Sequence, residues 1–460
     1  MLRLVAFIII FFMSLSSIAA TNSFISIADI HFNPFDTCVP KQLPCPIIKR
    51  LMQTNARQWQ IIFEHYGSKK ISHQPIDTND ALLHSSLMEI SAVAKQHHSQ
   101  FVILIGDYLA HDYQKNYQTY ASDTTQAGYE SFVKKTLQFL TLQIQAALPD
   151  LPVYAAVGNN DSYQGDYYSA PKGVFYDDLS NIWGSLLHNK HNAFRFLKQF
   201  PIAGYYSVVP PGSPKDRILV LNTVLFSTKA EGTHLSDTAR DELVWLKKQL
   251  VMAAAQHRKV WLVFHIPVGI NVYSSLRNNT ITSFWKPHYT HQFLSLLSTY
   301  ASTITGIFTG HLHIDAFELF DLDGHHEIFD SFTPAISPVF GNNPSFKWFQ
   351  YDSHTFQVRN FVTYYLPQQQ TQWRVLYNFN QRYQPYCKNC RLLLGLQRLP
   401  PKRVVENFET YYLAGNSAAS FIADHTAWRY YWCAIHYFTP ATYGSCLYSA
   451  GVSLETGDRH

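Results

Sequence analysis

Six cysteines among 460 residues, placed as Cys38 with Cys45, Cys387 with Cys390 and Cys433 with Cys446, are too few and too scattered for a thiolate metal cluster. Only Cys387-Lys388-Asn389-Cys390 has the spacing of half a zinc or redox motif, and no second Cys-x-x-Cys accompanies it. Charged residues are sparse at 15%, and the formal net charge is only +4. No long basic run occurs, which argues against a nucleic-acid-binding module and leaves nothing to grip a polyanion along its length. Beyond the first 20 residues no apolar stretch is long enough to cross a bilayer, and there are no internal repeats or low-complexity tracts. Aromatic residues, by contrast, make up 15% of the chain, the composition of a densely packed globule.

Residues 1–20 run from Met1-Leu2-Arg3 through an apolar core holding Val5, Phe7, Ile10 and Phe12 to small residues ending at Ala20. A basic start, a short apolar core and small residues at the end describe a signal peptide. The mature protein is therefore expected to be secreted, periplasmic or otherwise extracytoplasmic. An even cysteine count suits disulfides in such a compartment; pairing between sequence neighbours is the expectation, although sequence cannot choose among the connectivities.

Apolar runs at Ser23–Ala28, Phe101–Ile105, Val153–Val157, Val260–Phe264 and Ile304–Thr309 read as buried strands. Between them lie amphipathic stretches. Asn79 to His98 carries Leu82, Leu83, Leu87, Ile90 and Val93 on one stripe, and a second helix begins at Ser236, with Leu243, Leu246 and Leu250, and ends near His257. Strands alternating with such helices predict an α/β fold. Thr355–Tyr365 and Gln372–Asn378 look like further strands, and from Gln384 the chain is rich in Tyr, Trp and Leu and holds four of the six cysteines. The expected division is a catalytic domain over residues 21–355 and a mainly helical, disulfide-containing accessory region over 356–460. The aromatic stretch Trp428–Phe438 could meet a lipid surface peripherally, but burial against the core is the favoured reading.

Every predicted strand of the first group ends in a polar motif: Asp29-Ile30-His31, Gly106-Asp107, Gly158-Asn159-Asn160-Asp161, the single His265, and Gly310-His311-Leu312-His313. The carboxyl ends of strands are where open α/β sheets bind ligands. Carboxylate, amide and imidazole donors without thiolates suit hard or borderline divalent cations. The pattern points to a metal-dependent hydrolase. Other histidines, including the His97-His98 and His325-His326 pairs, have no motif around them.

In this order the motifs resemble those of the calcineurin-like metallophosphoesterase superfamily. Gly106-Asp107-Tyr108-Leu109-Ala110-His111-Asp112, Phe264-His265-Ile266-Pro267-Val268-Gly269 and Phe308-Thr309-Gly310-His311-Leu312-His313 are similar to acid sphingomyelinase-like phosphodiesterases, as is Asn342-Asn343-Pro344-Ser345-Phe346 leading to Tyr351-Asp352. The resemblance implies a β-sandwich of two mixed sheets flanked by helices. It implies two divalent ions, zinc being expected and manganese or iron the alternatives. Asp29, His31, Asp107 and His313 would hold the first ion; Asp107, Asn159, His265 and His311 would hold the second. Two such ions can share a water, acidify it and clamp a phosphoryl group for in-line attack.

At Asn160 many superfamily members carry a histidine, and an amide cannot supply the proton that an imidazole can. The Gly-Asn-Asn-Asp form is similar to that of endopolyphosphatases, and Asn160 retains the capacity to hydrogen-bond a phosphate oxygen. The resemblance leaves His111 as the candidate general acid, with Asp112 expected to orient it and Asp161 to support the loop. The expected substrates are small phosphoesters: nucleotides, sphingomyelin-like head groups or, alternatively, polyphosphate. No saposin-like lipid-presenting segment fits between residue 20 and Asp29, which moves nucleotides and small diesters ahead. The alternative from another class is an exported metal-binding protein without catalysis.

Overall fold

A computed structural model describes residues 21–322, 325–383, 410–416 and 427–454. The proposed signal peptide and the Cys387/Cys390 pair lie outside them. The strands, in chain order, are β1 (Thr21–Ile27), β2 (Val102–Ile105), β3 (Val153–Ala156), β4 (Tyr168–Ser169), β5 (Tyr206–Val208), β6 (Arg217–Val220), β7 (Glu231–Gly232), β8 (Val260–Val263), β9 (Ile304–Thr309), β10 (Phe317–Asp321), β11 (Glu327–Phe332), β12 (Ser345–Asp352), β13 (Gln357–Tyr365) and β14 (Arg374–Asn378). They form two six-stranded sheets, ordered β14-β13-β12-β1-β2-β3 and β10-β11-β9-β8-β6-β5, while β4 and β7 pair separately. Both large sheets are mixed. β1, β2 and β3 run parallel, as do β6, β8, β9 and β11; β12 pairs antiparallel with β1 in the middle of the first sheet, β13 and β14 follow it antiparallel in turn, and β5 and β10 pair antiparallel at the edges of the second.

The central strands are short unbroken apolar runs, Val102-Ile103-Leu104-Ile105 and Val260-Trp261-Leu262-Val263, because both of their faces are covered. One face of each sheet meets the other sheet through aromatic rings: Phe24 lies 4.9 Å from Trp261 and 5.3 Å from Phe308, and Trp261 lies 5.1 Å from Tyr351. Helices cover the outer faces. The helix Asp80–Gln96 starts where its cap requires, with the Asn79 side chain accepting from the Leu82 N–H, and it buries the predicted leucine stripe. The helix Leu235–Ala255 buries Leu243, Leu246 and Leu250.

The expected boundary at residue 355 falls in the turn between β12 and β13. β13 pairs with β12 from Ser345↔Tyr365 to Asp352↔Gln357, and β14 extends the same sheet. A cut there would split a hydrogen-bonded ladder that includes β1, so both strands belong to the catalytic sandwich. Among the described residues that follow, two helices, Trp428–His436 and Pro440–Ser449, are joined by a Cys433–Cys446 disulfide. Cys38 and Cys45 are also bonded, as sequence proximity suggested. In the Trp428–Phe438 stretch Tyr431, Cys433, Ile435 and Phe438 are buried, and Phe438 stacks on Phe320 of β10 at 4.2 Å, while Tyr437 is exposed. Among the described residues no helix is long and apolar enough to cross a membrane.

Candidate metal centre and active site

The carboxyl ends of β1, β2, β3, β8 and β9 meet at one edge of the sandwich and bring all five motifs together. Backbone hydrogen bonds lock the loops in place: Asp29 N–H donates to Gly106 O at 3.1 Å, His31 N–H to Asp107 O at 2.9 Å, and Gly310 N–H to His265 O at 3.1 Å. Close approach explains two glycines. A Cβ on Gly106, which itself has φ +75, would lie 2.7 Å from both Gly158 N and His265 Nδ1, and one on Gly158 would collide with Asp107. Asp29, His31, Asp107, His311 and His313 all have positive φ, between 45° and 72°. Non-glycine residues rarely adopt that conformation, and such strain collects at ligand clamps.

The polar atoms are arranged as a cation site would require. His265 donates Nδ1–H to Ile105 O at 2.7 Å, which turns the lone pair of Nε2 toward Asp107 Oδ2 at 3.2 Å and Asn159 Oδ1 at 3.1 Å. The Asn159 amide nitrogen is held by Asp166 at 2.7 Å, so its oxygen is the atom that points inward. His31 likewise donates Nδ1–H to Leu109 O at 2.9 Å, leaving Nε2 facing His313 Nε2 at 3.1 Å, Asp107 Oδ2 at 3.4 Å and Asp29 Oδ1 at 3.8 Å. Acceptors facing acceptors in a buried pocket need a proton or a cation between them. Donor atoms of Asp29, His31 and Asp107, and those of Asp107, His265 and His311, lie within 4.8 Å of one another, so two adjoining sites share Asp107. The residues fit a dinuclear centre.

The metal-free electrostatics show the same demand for positive charge. Burial pulls His31 down, yet its hydrogen bond to Asp29 and the charges of Asp107, Asp77 and Asp29 outweigh it and raise the imidazole to about 10. His265 is raised to about 9, with burial overcome by Asp107. Burial lowers His311 to about 3 and His313 well below its ordinary value, so both present neutral nitrogen. Asp107 stays well below the usual carboxylate range despite burial, held by His265, His31 and the Asn160 N–H, whereas burial raises Asp29.

Residues 23–315 match the calcineurin-like phosphoesterase family. The chain belongs to it. Among its relatives, mouse acid sphingomyelinase-like phosphodiesterase 3b is 25% identical over 459 residues, covering 95% of this chain and 92% of the relative. A human cyclic GMP-AMP phosphodiesterase is 25% identical over 325 residues, 67% of this chain and 69% of that one. Sphingomyelinase phosphodiesterase C of Dictyostelium discoideum is 26% identical over 320 residues, 66% and 65% of the two chains. As a member of this family the chain is a metal-dependent phosphoric ester hydrolase.

Within this calcineurin-like site, His111 stacks on His31 with ring centroids 4.0 Å apart. Asp112 does not orient it. Asp112 sits in left-handed backbone with its side chain 68% exposed, toward Lys115 at 3.9 Å. The partner is Asp77, whose carboxylate accepts the His111 backbone N–H at 2.9 Å and lies 3.1 Å and 3.2 Å from Nδ1, while Ser337 Oγ donates to it at 2.7 Å. Burial raises Asp77, but the hydrogen bond from His111 and the nearby imidazoles outweigh it and leave the carboxyl below its ordinary value. Asp161 supports the loops: its two oxygens accept from the N–H groups of Asp107, Gly158, Tyr108 and Leu109 at 2.8 to 3.3 Å. Asn160 holds the shared carboxylate, with N–H to Asp107 Oδ1 at 2.8 Å and Nδ2 to Oδ2 at 2.9 Å.

Asp77, Asp166 and Ser337 were not expected from the sequence. Each lies outside the motifs, in loops that read as ordinary turns, and only the fold carries them to the site. Asp107, His111, Asn159, Asn160, His311 and His313 all open onto one cavity of about 570 Å³, whose cationic lining residues are Lys229 and Arg277.

Proposed function

We propose that this protein is an exported dinuclear phosphodiesterase acting on nucleotides or small head-group diesters, with Asp29, His31, Asp107 and His313 around one ion and Asp107, Asn159, His265 and His311 around the other. The observation that carries this reading is the set of converging lone pairs of His31, His265, His313 and Asn159 around a shared Asp107, at the end of a cavity large enough for a substrate. Imidazole with carboxylate favours zinc, with manganese or iron as alternatives. When bound, two divalent ions supply Lewis acidity toward the phosphoryl oxygens and an acidified water.

The chain's own residues do the rest. Asp166 keeps the Asn159 oxygen turned inward, and Asn160 fixes the rotamer of Asp107, leaving its second amide hydrogen for a phosphate oxygen. The Asp77 carboxylate accepts a hydrogen bond from His111 Nδ1–H and orients the ring, so that the imidazolium form can pass its Nε2 proton to the leaving alcohol oxygen as its bond to phosphorus breaks, which leaves a neutral ring with Nδ1–H still bonded to Asp77. Asn160 cannot act as the acid, so that task falls to His111. The two disulfides among the described residues fit an oxidising compartment, which supports export.

The test is metal content, together with hydrolysis of bis-p-nitrophenyl phosphate, ATP, sphingomyelin and polyphosphate, beside Asp107→Asn. About two ions per chain are expected, with turnover of the diester falling by more than ~100-fold in the variant, beyond the usual cost of losing a residue behind a ligand. Protein that binds no zinc, manganese or iron and stays inert toward all four substrates would sink the reading.

A further inference from the structure

One buried acid in the cavity wall takes no part in the metal centre. On β10, Leu319 packs into the core between the sheets, while Phe320 belongs to the outer cluster with Phe438. Alternation along a strand puts Glu318 on that outer face. Its cross-strand partner on β11 is Asp330. Glu318 is 5% exposed and lines the cavity, and among the described residues its Oε2 has no hydrogen-bond partner. Asp330 accepts from Thr309 Oγ1 at 2.9 Å, but its Oδ2 is also unpartnered.

The nearby cation is already engaged. Lys347 Nζ meets Asp315 at 2.8 Å, Phe332 O at 2.7 Å and Ser331 Oγ at 3.1 Å, which accounts for all three ammonium hydrogens. Burial, and then the adjacent Asp330, push the Glu318 carboxyl well above its usual range. An unpaired acid in a cleft wall is unfavourable for folding, and such a group marks a site where a ligand completes the hydrogen bonds. Apolar side chains of the same cavity are Ile270, Val272, Ile314, Ala316, Phe332 and Ile435.

We propose that Glu318 is a specificity-determining residue that accepts a hydrogen bond from the amino group of a heterocyclic base carried by the phosphoester, and this rests on the phosphodiesterase reading above. A flat amino-bearing heterocycle offers apolar faces to the walls and an N–H to the carboxyl. A lipid chain has no donor at its far end, a quaternary ammonium has charge but no N–H, and a second phosphate has no N–H to give. The phosphate of such a substrate sits at the metal centre, and the base reaches along the cavity to β10.

The experiment compares the p-nitrophenyl esters of AMP and of purine riboside monophosphate, which lacks the amino group, with bis-p-nitrophenyl phosphate and p-nitrophenylphosphorylcholine, on the metal-loaded protein and its Glu318→Leu and Glu318→Gln variants. The intact protein should prefer the AMP ester by about tenfold or more, the worth of one buried hydrogen bond. Glu318→Leu should erase that preference with hydrolysis of bis-p-nitrophenyl phosphate unchanged, whereas Glu318→Gln, still an acceptor, should keep most of it. Calorimetric binding of AMP against purine riboside monophosphate to the unaltered protein gives the same comparison without a mutation. Equal binding of the two, or a loss in Glu318→Leu that falls equally on bis-p-nitrophenyl phosphate, would overturn the proposal. So would a loss confined to the choline ester, which would make the site one for a quaternary cation. Protein inert toward every diester would instead sink the phosphodiesterase reading, and the specificity role with it.

Discussion

The two sheets contribute unlike chemistry to one site. The sheet containing β1, β2 and β3 brings the carboxylates and the amide, Asp29, Asp107 and Asn159, together with His31 and His111; the sheet containing β8 and β9 brings only imidazoles, His265, His311 and His313. Negative charge therefore sits on one side and nitrogen lone pairs on the other. The two halves are tied where they meet, since the His311 N–H donates to Asp29 at 3.0 Å and the rings of His31 and His313 lie 4.9 Å apart. Neither half alone carries both of the adjoining donor groups. Their spacing is set by the aromatic layer of Phe24, Trp261 and Phe308 between the sheets, so the metal centre depends on the core as much as on its own loops.

The most severe break in this division of labour, short of removing a shared candidate ligand, is loss of the proposed proton donor on the carboxylate side. His111→Ala should lower kcat toward a diester with a poor leaving group by about 10²- to 10⁴-fold, the usual worth of general acid catalysis. The loss should be much smaller with p-nitrophenolate, which leaves without help. Asp77→Asn should reproduce a fraction of that pattern, because an amide can turn its N–H to Nδ1, where it displaces the proton that the doubly protonated acid form carries there. If Asp77→Asn lowered both substrates equally, or neither, the orienting role would be wrong.

A subtler contrast lies in how the imidazoles respond to pH in metal-free protein. His31 and His265 are raised to about 10 and about 9, so their contribution to stability is fully present below about pH 6.5 and is lost as the pH rises through those values. His311 and His313 are lowered, so below about pH 6.5 the unfolded chain takes up protons that the folded one refuses, and stability falls toward acid. Asp107, also lowered, adds to the acid loss. The thermal midpoint in chelator should therefore peak near about pH 6.5. With zinc, which requires all four imidazoles unprotonated, the alkaline decline should disappear. Thermal melts with and without chelator that show the same pH dependence would refute this account.

Much of this was legible in the sequence because each candidate ligand directly follows an apolar run, and strand ends converge whenever parallel strands share a sheet. Asp29, His31, Asp107, Asn159, His265, His311 and His313 met at one edge for that reason. The helix Asp80–Gln96 was readable from its asparagine cap and leucine stripe. Long-range pairing was not readable in the same way. The strands near residues 357–365 and 374–378 were visible as strands, but nothing local said that they would extend the sheet of β1. Asp77 reaches His111 across 34 residues of chain, and Asp166 reaches Asn159 from a turn whose composition is unremarked. In both cases the partner is chosen by packing between loops, which leaves no periodic trace.

Asp112 isolates that failure and gives the smallest predicted effect. Sequence adjacency made it the natural partner for His111, but its left-handed backbone carries the carboxyl outward to Lys115, while the backbone N–H and ring of His111 turn to Asp77. An exposed pair of this kind contributes little to stability, within ~0.5 kcal/mol. Asp112→Asn should leave kcat/KM within about twofold and the melting temperature nearly unchanged, since asparagine is among the residues that tolerate the left-handed conformation. Activity and melting measured beside Asp77→Asn would decide between the two aspartates. A loss in Asp112→Asn equal to that of Asp77→Asn would mean that the loop rearranges when substrate is bound, and that the contacts of His111 in the free protein are not those in which it works.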